Sequence, residues 1–266
     1  MSHYCDTHCH LYMDAYASDL QQVIEDAWNQ NVKTIVVPGI DLQTSRQAIE
    51  LAEKYEPLYA AIGVHPHDAQ NWKPNWHSEL LSMAKHPKVV AIGEIGLDYY
   101  RNYSPRDIQQ QVLQDQMVIA LETGKPVIFH ERDSAQDLWK FIDTMASDFK
   151  ETFNRPWGVL HSFSSSLEYA YLAMETQLFM GISGPVTYKN ALNKQNNVRE
   201  LPLSAMVLET DGPYLPPHPY RGKRNVPQYI PIIAEKIAQL KACTLEEVRD
   251  ITTDNANSLF FWRSNC

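Results

Sequence analysis

Eight short, apolar, β-rich runs recur along this 266-residue chain, and a stretch with helical periodicity separates each from the next. The runs fall at residues 4–8, 34–38, 58–64, 89–93, 127–130, 157–161, 178–181 and 206–209. Several are continuously hydrophobic instead of alternating, as parallel strands read when both of their faces are covered. Between them, Leu20, Val23, Ile24, Ala27 and Trp28 form a 3.6-residue stripe within residues 19–31, and Ala48, Leu51, Ala52 and Tyr55 form another within 44–55. Pro105 is placed as the first-turn proline of a long helix that runs to Thr123 and is stopped by Gly124. Helices over 228–241, 245–251 and 255–261 complete the series. Strand–helix alternation at this length matches a (β/α)8 TIM barrel, which needs roughly 250 residues. A doubly wound open sheet would want a glycine-rich phosphate turn after the first strand, but that turn holds His8 and His10. Residues 1–266 therefore read as a single barrel domain.

A barrel collects the C-terminal ends of its strands at one rim, where active sites are built. The rim positions here are rich in metal ligands. Asp6-Thr7-His8-Cys9-His10 ends the first run, Gly63-Val64-His65-Pro66-His67 the third, Glu94 follows the fourth, and His130-Glu131-Arg132 ends the fifth. His161 ends the sixth run and Glu209-Thr210-Asp211 the eighth. Strand alternation puts His8 and His10 on one face and Cys9 on the other, so Cys9 reads as a small buried residue and not a thiolate ligand. Taken singly, a strand-end histidine is more often a hydrogen-bonded structural residue than a ligand. Together, His8, His10, Glu94, His130, His161 and Asp211 offer four imidazoles and two carboxylates, enough for two divalent ions sharing a carboxylate.

Composition excludes several alternatives. A net charge of −9 argues against a broad basic surface that holds duplex DNA by counterion release. It leaves room for a phosphate-bearing substrate where bound ions and a few local cations reverse the sign. The longest apolar runs, 34–39 and 89–93, are too short to cross a bilayer, and the polar start of the chain carries no secretory core. Cys5, Cys9, Cys243 and Cys266 are scattered and read as reduced thiols. The expectation is a cytoplasmic, monomeric protein that makes no membrane contact.

With these motifs in place, the chain resembles the TatD-type metal-dependent hydrolases, amidohydrolase-like barrels that include metal-dependent deoxyribonucleases. The resemblance rests on Asp6-Thr7-His8-Cys9-His10-Leu11, Ile62-Gly63-Val64-His65-Pro66-His67 and Ile92-Gly93-Glu94-Ile95-Gly96-Leu97-Asp98-Tyr99. Further along it rests on Pro126-Val127-Ile128-Phe129-His130, Leu208-Glu209-Thr210-Asp211, Arg221-Gly222-Lys223-Arg224-Asn225 and Thr252-Thr253-Asp254-Asn255-Ala256. It implies that His8, His10, Glu94 and Asp211 hold one ion, and that Glu94, His130 and His161 hold a second. Two positions depart from the family pattern. Ser162-Phe163-Ser164-Ser165 stands where Cys-Phe-Ser-Gly is usual, and Gly212 stands where Ala or Ser precedes the proline.

Asp211 and Glu94 are the candidate catalytic residues, Asp211 orienting an acidified water and accepting its proton. A low Asp211 pKa is expected if it is also a ligand. Imidazole-rich ligation favours Zn or Mn, whereas the family resemblance implies support by Mg. Arg221, Lys223 and Arg224 are candidates for binding substrate phosphate, with His65 and Arg132 as further candidates. Tyr99, Tyr100 and Tyr103 are placed to stack on unpaired bases, while Trp72 and Trp76 carry no functional expectation. The leading expectation is a deoxyribonuclease that trims single-stranded DNA from the 3′ end. The alternatives are an ester or amide hydrolase, such as an aminoacyl-tRNA deacylase, or a non-catalytic metal-stabilised barrel.

Overall fold

The computed structural model describes residues 3–262. Eight strands form one sheet in chain order: β1 (Tyr4–Asp6), β2 (Val32–Pro38), β3 (Leu58–Ile62), β4 (Val89–Asp98), β5 (Val127–Arg132), β6 (Gly158–Leu160), β7 (Leu178–Ile182) and β8 (Met206–Leu208). Every adjacent pair is parallel. The ring closes through main-chain bonds from Thr7 N to Leu208 O and from Asp211 N to His8 O, and Cys9 and Gly212 form a parallel bridge. Below the rim, Asp6 accepts from Thr210 N and Oγ1. The architecture is a TIM barrel, as the alternation of elements predicts.

Nine helices cover the described barrel: α1 (Leu20–Asn29), α2 (Leu42–Lys54), α3 (Pro74–Met83), α4 (Arg106–Thr123), α5 (Ala135–Phe153), α6 (Leu167–Glu175), α7 (Leu192–Glu200), α8 (Ile230–Lys241) and α9 (Leu245–Phe260). Asp41 and Thr44 form a reciprocal cap on α2, Thr244 and Glu247 do the same for α9, and Gly124 ends α4 in the left-handed conformation. Ile35, Ile62, Ile92, Phe129 and Leu160 pack with helix side chains in one buried cluster, and Val36, Ala61, Ile128, Val159 and Val207, on the opposite face of the strands, form a second. Among the described residues no helix is long and apolar enough to cross a membrane.

Of the boundaries that differ from expectation, three change the picture most. β1 ends at Asp6, so His8 and His10 lie in the irregular segment past the strand and not inside it. β4 runs on to Asp98 and carries Glu94 well within the sheet. The two helices expected over 245–251 and 255–261 are one, α9. Thr252 and Thr253 are poor helix formers in isolation; Thr252 Oγ1 bonds to Val248 O within α9, and Thr253 Oγ1 ties the helix to His3 O at the start of the barrel.

Candidate metal centre

The rim brings the six expected ligand residues to one place. His8 Nε2 and His10 Nε2 lie 3.2 Å apart, and Glu94 Oε2 is 3.3 and 3.7 Å from them. Asp211 Oδ1 stands 4.0 Å from His8 Nε2, 3.8 Å from His10 Nε2 and 3.8 Å from His161 Nε2. His130 enters by its other nitrogen, with Nδ1 donating to Glu94 Oε1 at 2.8 Å. Three overlapping groups, His8–His10–Asp211, His8–Glu94–His161 and His65–Glu94–His130, each place one donor atom per residue within 4.8 Å of the others. Glu94 belongs to two of them and sits between the rest.

The outer ring nitrogens show which atoms face inward. His10 Nδ1 lies 3.1 Å from Pro38 O, an acceptor, so Nδ1 carries the proton and the Nε2 lone pair faces the centre. His130 Nε2 donates to Asp98 Oδ2 at 3.1 Å, which leaves Nδ1 on the Glu94 side. Glu209 Oε1 lies 3.1 Å from His161 Nδ1, an ion-pair contact out of hydrogen-bond alignment, and also accepts from Ser162 N. Nδ1 of His8 is buried without a partner, and its ring stacks on that of His161 with centroids 3.6 Å apart. Lone pairs and carboxylate oxygens crowded this closely repel one another unless cations lie among them. The donor set, imidazole nitrogens around a central carboxylate with outer carboxylates behind, fits first-row divalent ions.

The same crowding sets the ionisation. Burial and the neighbouring His8 hold His10 down at about 3. Burial opposes a charge on His130, but hydrogen bonds to Asp98 and Glu94 hold it up at about 9. Burial likewise opposes charge on His161, and Glu209, Glu94 and Asp211 raise it to about 10. Glu94, which burial alone would push up, is held well below the usual carboxylate range by His161, His8 and His65. The low value expected for Asp211 is not found in the protein's own electrostatics. Burial lifts it to about 6 against His161 and His8.

The substrate candidates divide. His65 stays close: its Nε2 is 3.6 Å from Glu94 Oε1, and its Nδ1 accepts from His67 N, so it faces the centre as a donor. Arg132, with its guanidinium 4.2 Å over the Tyr100 ring, lines a cavity of about 540 Å3 that opens beside His130, His161 and Asp211. The basic loop is not part of that cavity. Arg224 donates to both carboxylate oxygens of Asp19, at 2.8 and 2.7 Å, Arg221 covers the Tyr188 ring, and Lys223 lies 5.6 Å from the Tyr220 ring centre. Of the tyrosines, Tyr99 is tied to Asp137 while Tyr100 and Tyr103 are exposed. Trp72 and Trp76 pack on each other and on the core.

Both departures from the family pattern have local causes. A Cβ at Gly212 would lie 2.4 Å from Tyr16 Oη and 2.8 Å from Cys9 Sγ, so these side chains occupy the space of the usual small residue. Cys9 is fully buried there, facing away from the histidines as expected. Ser165, in place of the usual glycine, donates to Glu131 Oε2. Sequence alone assigns no role to Glu209, Asp98 or Lys194, although Glu209 stands two residues from Asp211 and Asp98 lies within the motif that marks Glu94.

Comparison with known proteins agrees with this geometry. A family model described as TatD related DNase matches residues 5–261. The chain is 42% identical over 255 residues to an uncharacterized metal-dependent hydrolase of Bacillus subtilis, YabD, covering 96% of this chain and 98% of that one. It is 32% identical over 260 residues to a protein of Salmonella typhimurium named 3′-5′ ssDNA/RNA exonuclease TatD, again covering 96% and 98%. Among solved structures, the TatD homologue YjjV of Escherichia coli superposes with a TM-score of 0.90 at 29% identity, covering 97% and 98%.

Proposed function

This chain belongs to the TatD related DNase family and is a metal-dependent hydrolase, and from that premise we propose that it is a phosphodiesterase that removes nucleotides from the 3′ end of single-stranded DNA. The convergence of His8, His10, His130, His161 and Asp211 on Glu94 carries the reading. The 3′-5′ single-strand activity in the name of the Salmonella relative supports the choice of bond and polarity. His8, His10, Glu94 and Asp211 would hold one divalent ion, and Glu94, His130 and His161 a second, as Mg, Mn or Zn. When bound, such ions neutralise charge on phosphate oxygens and acidify water.

The chain's own residues do the rest. Asp211 keeps 13% of its side chain exposed toward the cavity, so it reaches both the centre and whatever enters. It orients the attacking water at Oδ1 and takes its proton. Glu94, 4% exposed, stays ionised between the histidines and fixes their spacing. His65 presents Nε2–H to a non-bridging oxygen of the substrate. Asp98 and Glu209 hold His130 and His161 from behind. The whole chain, 1–266, acts as one barrel domain, soluble and monomeric in the cytoplasm.

The test uses single-stranded DNA labelled at one end or the other, and protein stripped and reloaded with Mg, Mn or Zn. The 3′ label should leave first as mononucleotide, and Asp211→Ala should be slower by on the order of a thousandfold or more. Wild-type protein that degrades the DNA no faster than Asp211→Ala sinks the reading. Aminoacyl-tRNA in a parallel assay checks whether an ester is cut instead.

A further inference from the structure

The cavity beside the centre has a cation that the centre does not need. Lys194, on the first turn of α7, reaches over the loop that follows β6, and its Nζ donates to Phe163 O at 2.9 Å and, at 3.4 Å, to Ser162 O. Both partners are neutral carbonyls. Glu209, Asp211 and Glu131 attract the ammonium from farther off, without an ion pair to any of them. A largely buried ammonium has three donors, and two of these are engaged with the loop. Lys194 lines the cavity, so its remaining donor direction is available there. Burying a cation without a paired charge is costly, and such a site favours an anion that supplies the missing charge.

The other groups around Lys194 are consistent with an anionic guest. Glu131 is already engaged by Ser134 and Ser165, and Asp133 is exposed. Away from the histidines of the centre, Arg132 also lines the cavity. The volume, about 540 Å3, falls within the usual range for a small-molecule guest, roughly 300–1,000 Å3. One end of the cavity is the metal centre, walled by His130, His161 and Asp211. A phosphodiester at that end therefore carries its neighbouring nucleotide into the cavity.

We infer that Lys194 binds the phosphate next to the scissile one, making the cavity a subsite for a second phosphate of a nucleotide chain. This rests on the phosphodiesterase reading above. It also moves the expected phosphate contact from the basic loop at Arg221–Arg224, which follows β8, to α7, which follows the neighbouring β7.

A double comparison tests it. Thymidine 3′,5′-bisphosphate carries two phosphates one nucleoside apart, and thymidine 5′-monophosphate carries one. Calorimetry with the metal-loaded protein should show the bisphosphate binding at least tenfold tighter to wild type. Lys194→Met should abolish that preference, and Lys194→Arg, which keeps a cation, should retain part of it. On substrates, wild type should prefer a thymidine dinucleotide bearing an added terminal phosphate over the unphosphorylated dinucleotide, mainly through KM, and Lys194→Met should lose the preference. A Lys194 that only braces the loop would weaken one-phosphate and two-phosphate ligands alike, which overturns the inference. So does a preference that survives Lys194→Met, or no preference in wild type. If the bisphosphate preference depends on Lys194 but neither dinucleotide is cut, the subsite stands and the phosphodiesterase reading fails.

Discussion

At the scale of single residues, the centre holds two protons that ions must displace. His130 and His161 have values raised to about 9 and 10, so both imidazoles are charged at neutral pH in the metal-free chain. A metal ligand must be the neutral imidazole, so loading the centre at pH 7 releases about two protons per chain. Affinity should rise with pH until it passes those values. The sign for stability is the opposite. A histidine raised in the folded state stabilises fully below its ordinary value and loses that contribution as pH climbs through the raised one. The metal-free protein should therefore lose thermal stability progressively between about pH 6.5 and 10. Titration calorimetry in two buffers of different ionisation enthalpy counts the protons, and a count near zero contradicts this electrostatic picture. The six residues that meet at the centre are legible in the sequence because strand ends have fixed places on a barrel rim. Their outer partners are not. Glu209 reads as one more acidic residue until its depth and its distance to His161 are known, and Arg224 reads as a free cation until Asp19 is seen across the seam between β1 and β8.

At the scale of elements, β7 and β8 show how the barrel makes room for its ligands. Gly181 of β7 faces Glu209 just past β8, and a Cβ there would lie 2.3 Å from Glu209 Oε2. Gly181→Ala should displace the carboxylate, costing about 1–3 kcal/mol of stability for the overpacking. Metal affinity should fall by about 10- to 100-fold as His161 loses its outer partner. Glu209→Gln keeps the shape and should reproduce the fall in affinity with a smaller change in stability. A competing chelating dye and urea unfolding measure the two separately, and affinity unchanged in both variants removes Glu209 from the positioning of His161. Periodicity located the strands because buried parallel strands are hydrophobic throughout. It is weakest where tertiary bonds override local preference, as at Thr253 in α9, bonded to His3 O, and where β4 continues past Gly93 to Asp98 in register with β5.

At the scale of the whole molecule, ion binding and folding should be coupled, since the candidate ligands come from β4, β5 and the segments that follow β1, β6 and β8. Anything that binds the folded chain alone stabilises it by mass action, about 2.7 kcal/mol at a hundredfold excess over Kd. For a chain of this size that corresponds to a rise in Tm of about 5–10 °C, lost again on chelation. Scanning calorimetry with and without a chelator checks it, and equal midpoints at saturating metal would mean that the rim residues hold no ion.

The ring closes where Asp211 N meets His8 O, joining an early segment of the chain to one near its far end. During synthesis His8 and His10 emerge first and wait for Asp211 for on the order of ten to forty seconds, at ribosomal rates of roughly 5–20 residues per second. Until then the first ion's site is missing a wall, and a nascent chain has only part of its grip on a metal. Full occupancy therefore waits for Asp211, and a filled centre marks a barrel whose last strand is in place.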